Sequence, residues 1–442
     1  MQRGRAGVHT QSLLMRGVVR ASTHPTPAIA KPLCWSDLSI PQSWQYDDRA
    51  TEECWGVTMR DWPAKTAATR EEGRAQVQAD YAIIGGGIVG LSVAWGLLRI
   101  GRTVIVLDGD DGSFRASRGN FGLIWVQSKG LTQPAYARWT QGSAALWQGF
   151  AAELSDGTGA DLSLRQDGGY DFYLDEAALE ARVAQYAALR EALGGEYPFE
   201  VLGNNALRRE EPEVGPRVAG AILHHQDGHV NPLRLLRSLA LDVRRRGGQV
   251  LTGQSVADLE GVAEGLRVRC ASGLVVTAGR VVLCAGLGAM DLGPRLGFLA
   301  PVRPQRGQVL VTEKLPPLMH RPSATIRQVD EGGIQIGASA EEVGLDDRVT
   351  IPTVAKIAAE AVAVMPRLAQ AQMVRSWGAL RIMSPDGLPI YQHSPTLPGV
   401  SLVTCHSGIT LAAAHALLLP RWLEGADDAP DLGMFGEARF VS

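Results

Sequence analysis

Asp80-Tyr-Ala-Ile-Ile-Gly85-Gly-Gly-Ile-Val-Gly90 runs a short apolar segment straight into a Gly85-x-Gly87-x-x-Gly90 loop. Tyr81–Ile84 predicts a buried strand, and Ile88–Ile100 a helix ended by Gly101 at the C′ position. Thr103–Leu107 predicts a second strand, closing on Asp108. That is the first β-α-β unit of a doubly wound sheet. In such a unit Gly85 permits the tight turn and Gly87 lets the backbone approach a pyrophosphate. Gly90 lets the helix pack on the strand, so the helix N-terminus, with Ile88 and Val89, faces the phosphates. Asp108 follows Gly90 by 18 residues, where a carboxylate can accept ribose hydroxyl protons. The bland alternative is a structural glycine turn beside a solvated aspartate.

The bulk composition constrains what surrounds that unit. A chain of 442 residues accommodates two or three packed domains. Hydrophobic residues at 45% and charged residues at 20% are ordinary for a soluble enzyme. A formal charge of −3 supplies no basic field for nucleic acid. Cys34, Cys54, Cys270, Cys284 and Cys405 form no C-x-x-C pair, which argues against a disulfide framework and a cysteine metal site and suits a reducing, cytoplasmic setting, with peripheral attachment to an inner membrane left open. Tyr81–Leu98 is charge-free and long enough to raise a membrane span, but its five glycines favour strand, turn and helix. His224, His225 and His229 lack carboxylates at zinc-ligand spacing, so no metal is expected.

Residues 1–77 stand apart. The first 36 carry five Lys or Arg and no acid, without the apolar core of a secretory signal. They read as a disordered extension or a mis-called start, with Met59 as an internal initiator. Downstream, helices are expected over 144–149, 174–193, 231–247 and 351–365. Strands are expected over 170–174, 249–252, 266–270, 274–278, 280–284, 302–312, 325–328 and 333–337, with turns at Ser272-Gly273 and Gly279. The chain closes on strand Val400–Thr404, the His406-Ser407-Gly408 turn and a helix over Ile409–Trp422.

Two further glycine turns separate FAD from a nicotinamide cofactor. Arg280-Val-Val-Leu-Cys-Ala-Gly286 is a strand running into Ala285-Gly286, suited to close passage beside the first loop. Cys405-His-Ser-Gly-Ile-Thr410 opens the last helix, whose N–H groups can stabilise negative charge on a reduced flavin. Taken singly, each also fits an ordinary strand-end or cap turn.

Together these motifs resemble the D-amino-acid oxidase superfamily, in the branch of glycine and sarcosine oxidases and the β subunits of opine oxidase and D-hydroxyproline dehydrogenase. The resemblance spans about 78–428. It rests on Asp80–Gly90, Arg115-Ala-Ser-Arg-Gly-Asn-Phe-Gly-Leu-Ile-Trp125, His229-Val-Asn-Pro232, Arg306-Gly-Gln308, Gly333-Ile-Gln-Ile-Gly-Ala338, Gly378-Ala-Leu-Arg381 with Pro385-Asp-Gly-Leu-Pro389, and Cys405–Thr410.

The resemblance implies a mixed α/β architecture. A Rossmann-like, glutathione-reductase-type FAD domain would come from 78–128, 224–301 and 375–428, and an interleaved mixed-sheet substrate domain from 129–223 and 302–374, with 429–442 as a tail. It implies that Ser117, Asn120, Phe121, Gly122 and Leu123 wrap the ribityl chain and one flavin edge. Val256 would touch adenine through its main chain, and Gly408, Ile409 and Thr410 would lie against the pyrimidine ring. Arg381 falls on the family arginine for the substrate carboxylate, a role suited to its bidentate fork; an isolated arginine in such a string is otherwise a structural ion pair. Gly119 and Asn120 stand where an attaching His would, and no Cys matches, so noncovalent FAD is expected. His406 occupies the last turn where glycine oxidase has an Arg, and serves either as a cap or as a contact to substrate or flavin.

The implied activity is oxidation of a D-amino acid, D-hydroxyproline, glycine, sarcosine or an opine. Hydride passes from Cα to flavin N5, and the imine is hydrolysed. The electron acceptor is oxygen, a quinone or a partner redox subunit. The rival readings are a β subunit active only in a multi-subunit hetero-oligomer, and a nicotinamide-dependent dehydrogenase.

Overall fold

In the long strand Arg74–Ile84, side chains from Tyr81 onward alternate between two apolar layers, with Tyr81 and Ile83 on one face and Ala82 and Ile84 on the other. Neighbouring Val104–Leu107 does the same, Val104 and Val106 joining the first layer and Ile105 and Leu107 the second. A strand buried on both faces belongs in the middle of a covered parallel sheet. In the computed structural model, which describes residues 69–71, 74–109 and 116–441, that is where both strands lie; the expectations for residues 1–68 and for Arg115 fall outside these residues, whereas 69–71 and 74–77, expected to belong to the extension, are corrected to strand, Thr69–Glu71 pairing with the start of Arg74–Ile84.

The parallel core runs Gln249–Leu251, Val104–Leu107, Arg74–Ile84, Val275–Leu283, Val400–Thr404. Antiparallel strands Gly265–Cys270 and Val256–Val262 extend it, and Ile390–His393 pairs with Val400–Thr404. Helix Ile88–Arg99 crosses one face, packed by Pro134–Thr158, Pro232–Arg245 and the C-terminal helices. Trp95 anchors that layer, its indole donating to buried Asp242 at 2.6 Å beneath the Arg246 guanidinium. A second, four-stranded antiparallel sheet is ordered Ile326–Gln328, Gly333–Gly337, Arg303–Lys314, Met373–Met383. A three-stranded sheet joins Gly169–Tyr173, Gly220–His224 and Glu200–Gly203.

Three expectations are corrected. Leu274–Ala278 and Arg280–Cys284 are one strand, Val275–Leu283. Gly279 is not a turn but the point where the strand changes neighbours, from Gly265–Cys270 along residues 275–278 to Val400–Thr404 along 281–283. The last helix is two, Ala412–Leu417 and Leu419–Glu424. Pro420 has no N–H to return to Ala416, and the freed Ala416 carbonyl lies where a Cβ on Gly96 would collide with it, which seats the break against the first helix. The helix expected over 144–149 is the 25-residue Pro134–Thr158. Strand Met373–Met383, which carries Arg381, was not anticipated. The tail packs too: Phe435 is buried, and Glu437 accepts from the amides of Leu299 and Ala300 at 2.9 and 2.6 Å.

Candidate active site

The first loop is built around glycine. Gly85 sits at φ +112°, which side chains other than glycine's rarely adopt, and its amide donates to Leu107 O at 2.8 Å. A Cβ on Gly85 would strike the Cys284 carbonyl, and one on Gly90 the Gly85 carbonyl, so both positions are closed by packing. Gly87 differs: its nearest neighbour is the Ser117 hydroxyl, 3.0 Å from an added Cβ, with no backbone in the way. That hydroxyl accepts from Ile88 N at 3.0 Å. Asp108 accepts from the amide of Gly86. Beyond that Ser117 contact, helix Ile88–Arg99 opens with no cap from its N-cap Gly87 and no acid in its first turn, and it ends on Arg99. Its N-terminus therefore keeps free amides, Val89's among those of the first turn, at a positive end suited to a phosphate.

The other two turns meet this one. Cys284 N donates to Ile84 O at 2.8 Å, placing Ala285 and Gly286 directly beside Gly85. Gly286 faces Ile382, the neighbour of Arg381. A Cβ on Gly408 would lie 3.4 Å from Val89. Ile409 is buried in the core shared with Ile88, and Thr410 joins this turn to the 117–125 segment by accepting from Trp125 N at 3.0 Å. The far end converges as well: Gln254 N donates to Asp108 O at 2.8 Å, and Val256 shares a crevice with Ile84, Leu259 and Leu296.

Along the middle segment, Asn120 accepts from Gly122 N at 2.8 Å, and Leu123 pairs with His229 in a short antiparallel ladder. Phe121 points toward the antiparallel sheet, under the Arg327 guanidinium and beside Gly337. Arg327 braces this region from behind, donating to His229 Nδ1 at 2.9 Å and Val230 O at 3.2 Å. Gly119 packs on Ala379 and accepts from the Trp377 indole at 3.1 Å, which ties the segment to the strand bearing Arg381.

Arg381 is half-buried and hydrogen-bonds only neutral acceptors, Ser339 O at 2.7 Å and Gln305 Oε1 at 3.3 Å. No carboxylate among the described residues pairs with it. Neither a surface nor a structural ion pair holds it among the described residues, and the guanidinium keeps unused donors. His406 faces both Arg381 and Lys129; burial, then those two cations, hold its imidazole well below its ordinary pKa, hence neutral. It caps no helix, since helix Ala412–Leu417 begins six residues later.

Lys129 was missed. A lysine in Gln127-Ser-Lys-Gly130 reads as a solvated turn residue, and what gives it meaning lies some 250 residues further along the chain. It is half-buried beside Arg381, Asp227 and Cys405, and burial followed by the Arg381 charge brings its ammonium down to about 8. Among the described residues no group of three or more His, Cys, Asp or Glu is arranged to hold a metal ion, and no helix is long and apolar enough to cross a membrane.

These residues fit a dinucleotide flavin. The loop's closed positions are glycine because backbone fills them, the open position at Gly87 is where a phosphate can approach, and three turns meet at the carboxyl ends of the parallel strands. The DAO family signature, described as FAD dependent oxidoreductase, matches residues 80–422. The B subunit of opine oxidase from Rhizobium meliloti is 40% identical over 364 residues, covering 82% of this chain and 98% of that protein. Hydrogen cyanide synthase subunit HcnC of Pseudomonas aeruginosa is 28% identical, covering 82% and 96%. Glycine oxidase from Geobacillus kaustophilus, a solved structure, superposes with a TM-score of 0.75 at 26% identity, over 81% of this chain and 98% of that one.

Proposed function

Because this chain belongs to the DAO family of FAD-dependent oxidoreductases, we propose that it oxidises an amine or amino acid bearing a carboxylate beside the reacting carbon, with Arg381 as the carboxylate anchor. One observation carries this: a half-buried guanidinium with neutral partners only, on a strand reached by both the Gly286 turn and the Gly119 segment. An unpaired buried cation is costly unless an anion arrives. Bound FAD supplies the two-electron acceptor for the hydride leaving Cα, and water hydrolyses the imine that remains.

The chain's own residues bind and orient. Gly85, Gly87, Ile88, Val89 and Gly90 would hold the pyrophosphate, and Asp108 the ribose. Val256 would meet the adenine, and Ala285 and Gly286 let the chain pass close to the first loop. Ser117, Asn120, Phe121, Gly122 and Leu123 would follow the flavin edge, with Gly408, Ile409 and Thr410 at the pyrimidine end. Residues 117–123 include no His or Cys, which supports noncovalent attachment. A neutral His406 would offer one N–H and no positive charge. Orientation beside the acceptor, rather than a strong base, is what direct hydride loss requires. In this reading the cofactor pieces are 78–128, 224–301 and 375–428, and the substrate pieces 129–223 and 302–374.

The family match sets the nicotinamide alternative aside. A subunit that turns over only with partner chains keeps one specific support: two of the relatives are named as subunits. Purified FAD-loaded protein, screened with D-amino acids, D-hydroxyproline, glycine, sarcosine, opines and simple amines lacking a carboxylate against an artificial electron acceptor, tests both. Turnover of a carboxylate-bearing amine by the lone chain supports the first reading. FAD retention without turnover until a partner chain is added supports the second. Oxidation confined to amines lacking a carboxylate contradicts the anchor.

A further inference from the structure

We propose that Lys129 is a second carboxylate-recognising residue, so that the pocket takes an amine carrying two carboxylates, one met by Arg381 and the other by Lys129. This rests on Arg381 being the first anchor.

The turn that presents Lys129 is braced at each residue. Buried Asp227 accepts from Val126 N at 2.5 Å and from the Gln127 side chain at 2.9 Å, and Gln127 also donates to Gly169 O at 3.0 Å. Ser128 is held at φ +62°, a conformation disfavoured for a residue with a Cβ, with its amide on the Tyr186 hydroxyl at 2.8 Å. Lys129 N closes the turn on Val126 O at 3.1 Å. Backbone held this tightly points one side chain in one direction.

That side chain ends without a partner. Among the described residues no hydrogen bond or ion pair reaches the Lys129 ammonium, although the position is half-buried. Asp227 lies within electrostatic range, yet its two oxygens are taken by Val126 and Gln127. Arg381, His406 and Cys405 lie within electrostatic range of Lys129 as well. A structural lysine would take the acid, and a solvated one would extend into water. Lys129 instead lies within electrostatic range of a second cation, Arg381, which also has no carboxylate partner among the described residues. Two like charges held close are relieved by loss of a proton or by anions, and a second carboxylate would give the Lys129 ammonium an anionic partner of its own. Neutral His406, within electrostatic range of both, adds no third positive charge.

The test uses full-length, FAD-loaded protein and unreactive acids, read by perturbation of the flavin absorbance. Malonate, succinate and glutarate are compared with acetate, propionate and butyrate. The best diacid should bind about tenfold or more tightly than its monoacid counterpart, as expected for one added charge-assisted contact. Lys129→Met should remove that difference by weakening the diacid while leaving monoacids within about twofold, and Arg381→Lys should weaken both series. Lys129→Arg should keep the diacid preference, which separates recognition from a folding defect; FAD content and melting temperature are measured alongside. If Lys129→Met weakens both series equally, or leaves the diacid preference intact, the proposal is wrong. If Arg381→Lys changes neither series, the anchor reading fails and this proposal with it.

Discussion

The Trp125 amide donates to the Thr410 hydroxyl at 3.0 Å, joining two residues 285 positions apart. Thr410 also reaches Leu123 O at 3.4 Å, and its own carbonyl accepts from Ser143 at 2.7 Å and the Trp147 indole at 3.1 Å. One threonine thereby fixes the 117–125 segment against the 405–410 turn, the two stretches proposed to follow the flavin. Thr410→Val keeps the shape but leaves the buried Trp125 amide unsatisfied, which costs about 1–3 kcal/mol. Urea unfolding should show that loss in the apoprotein, and FAD titration should show weaker binding. An unchanged FAD affinity would mean that the two segments are not jointly organised for the cofactor.

The glycines of the first loop should divide into two kinds. Gly90→Ala drives a Cβ into Gly85 O and should prevent folding or lower the melting temperature by many degrees. Gly87→Ala meets only the Ser117 hydroxyl at 3.0 Å, so the fold should survive while FAD affinity falls by about tenfold or more. Thermal melts of apoprotein beside FAD titrations check both. Equal effects on folding would deny Gly87 its role at the phosphate.

Arg381→Lys should raise KM for every carboxylate-bearing substrate by about ten- to hundredfold. The substitution removes a bidentate fork worth about 1.5–3 kcal/mol and leaves a point charge. Steady-state kinetics with unchanged FAD content checks this. Unaltered KM for every substrate turned over would show that Arg381 is structural.

Around the pocket, two groups change charge near the same pH. Burial and Arg381 bring Lys129 down to about 8, and burial raises Asp227 to about 8 against the pull of its amide donors. His406 stays neutral, Cys405 is pushed up to about 12 by burial, and Arg381 is lowered by burial. As pH rises through about 8, Lys129 loses a positive charge and Asp227 gains a negative one, so both remove positive potential. Because kcat/KM follows groups of the free enzyme, its value for a dicarboxylate amine should fall above about pH 8. The fall should be shallower for a monocarboxylate and shallower again in Lys129→Met. Identical profiles for the two substrate types would contradict a charged Lys129 in recognition.

Where local sequence controlled local structure, the chain was legible. Tyr81–Ile84, the glycine loop, Ile88–Arg99 and Asp108 follow from burial alternation and glycine sterics within thirty residues. Arg381 came from motif resemblance, since the pattern of Met373–Met383 mixes exposed and half-buried residues and shows no clean alternation. Gly279 carries a turn residue's signature, yet the sheet keeps the strand continuous because partners are exchanged there. Lys129 was hidden for a different reason: its turn is polar and short, and only folding brings Asp227, Arg381 and His406 around it.

The most direct test of the central claim is an anaerobic mixing experiment, which needs no knowledge of the physiological acceptor. Purified FAD-loaded protein is combined with carboxylate-bearing amines, and the flavin's visible absorbance is followed. Bleaching with release of a 2-oxo acid and the free amine is the predicted result, and Arg381→Lys should require far more substrate to reach it. A flavin that dithionite reduces but that stays oxidised across the whole substrate panel would contradict the assignment.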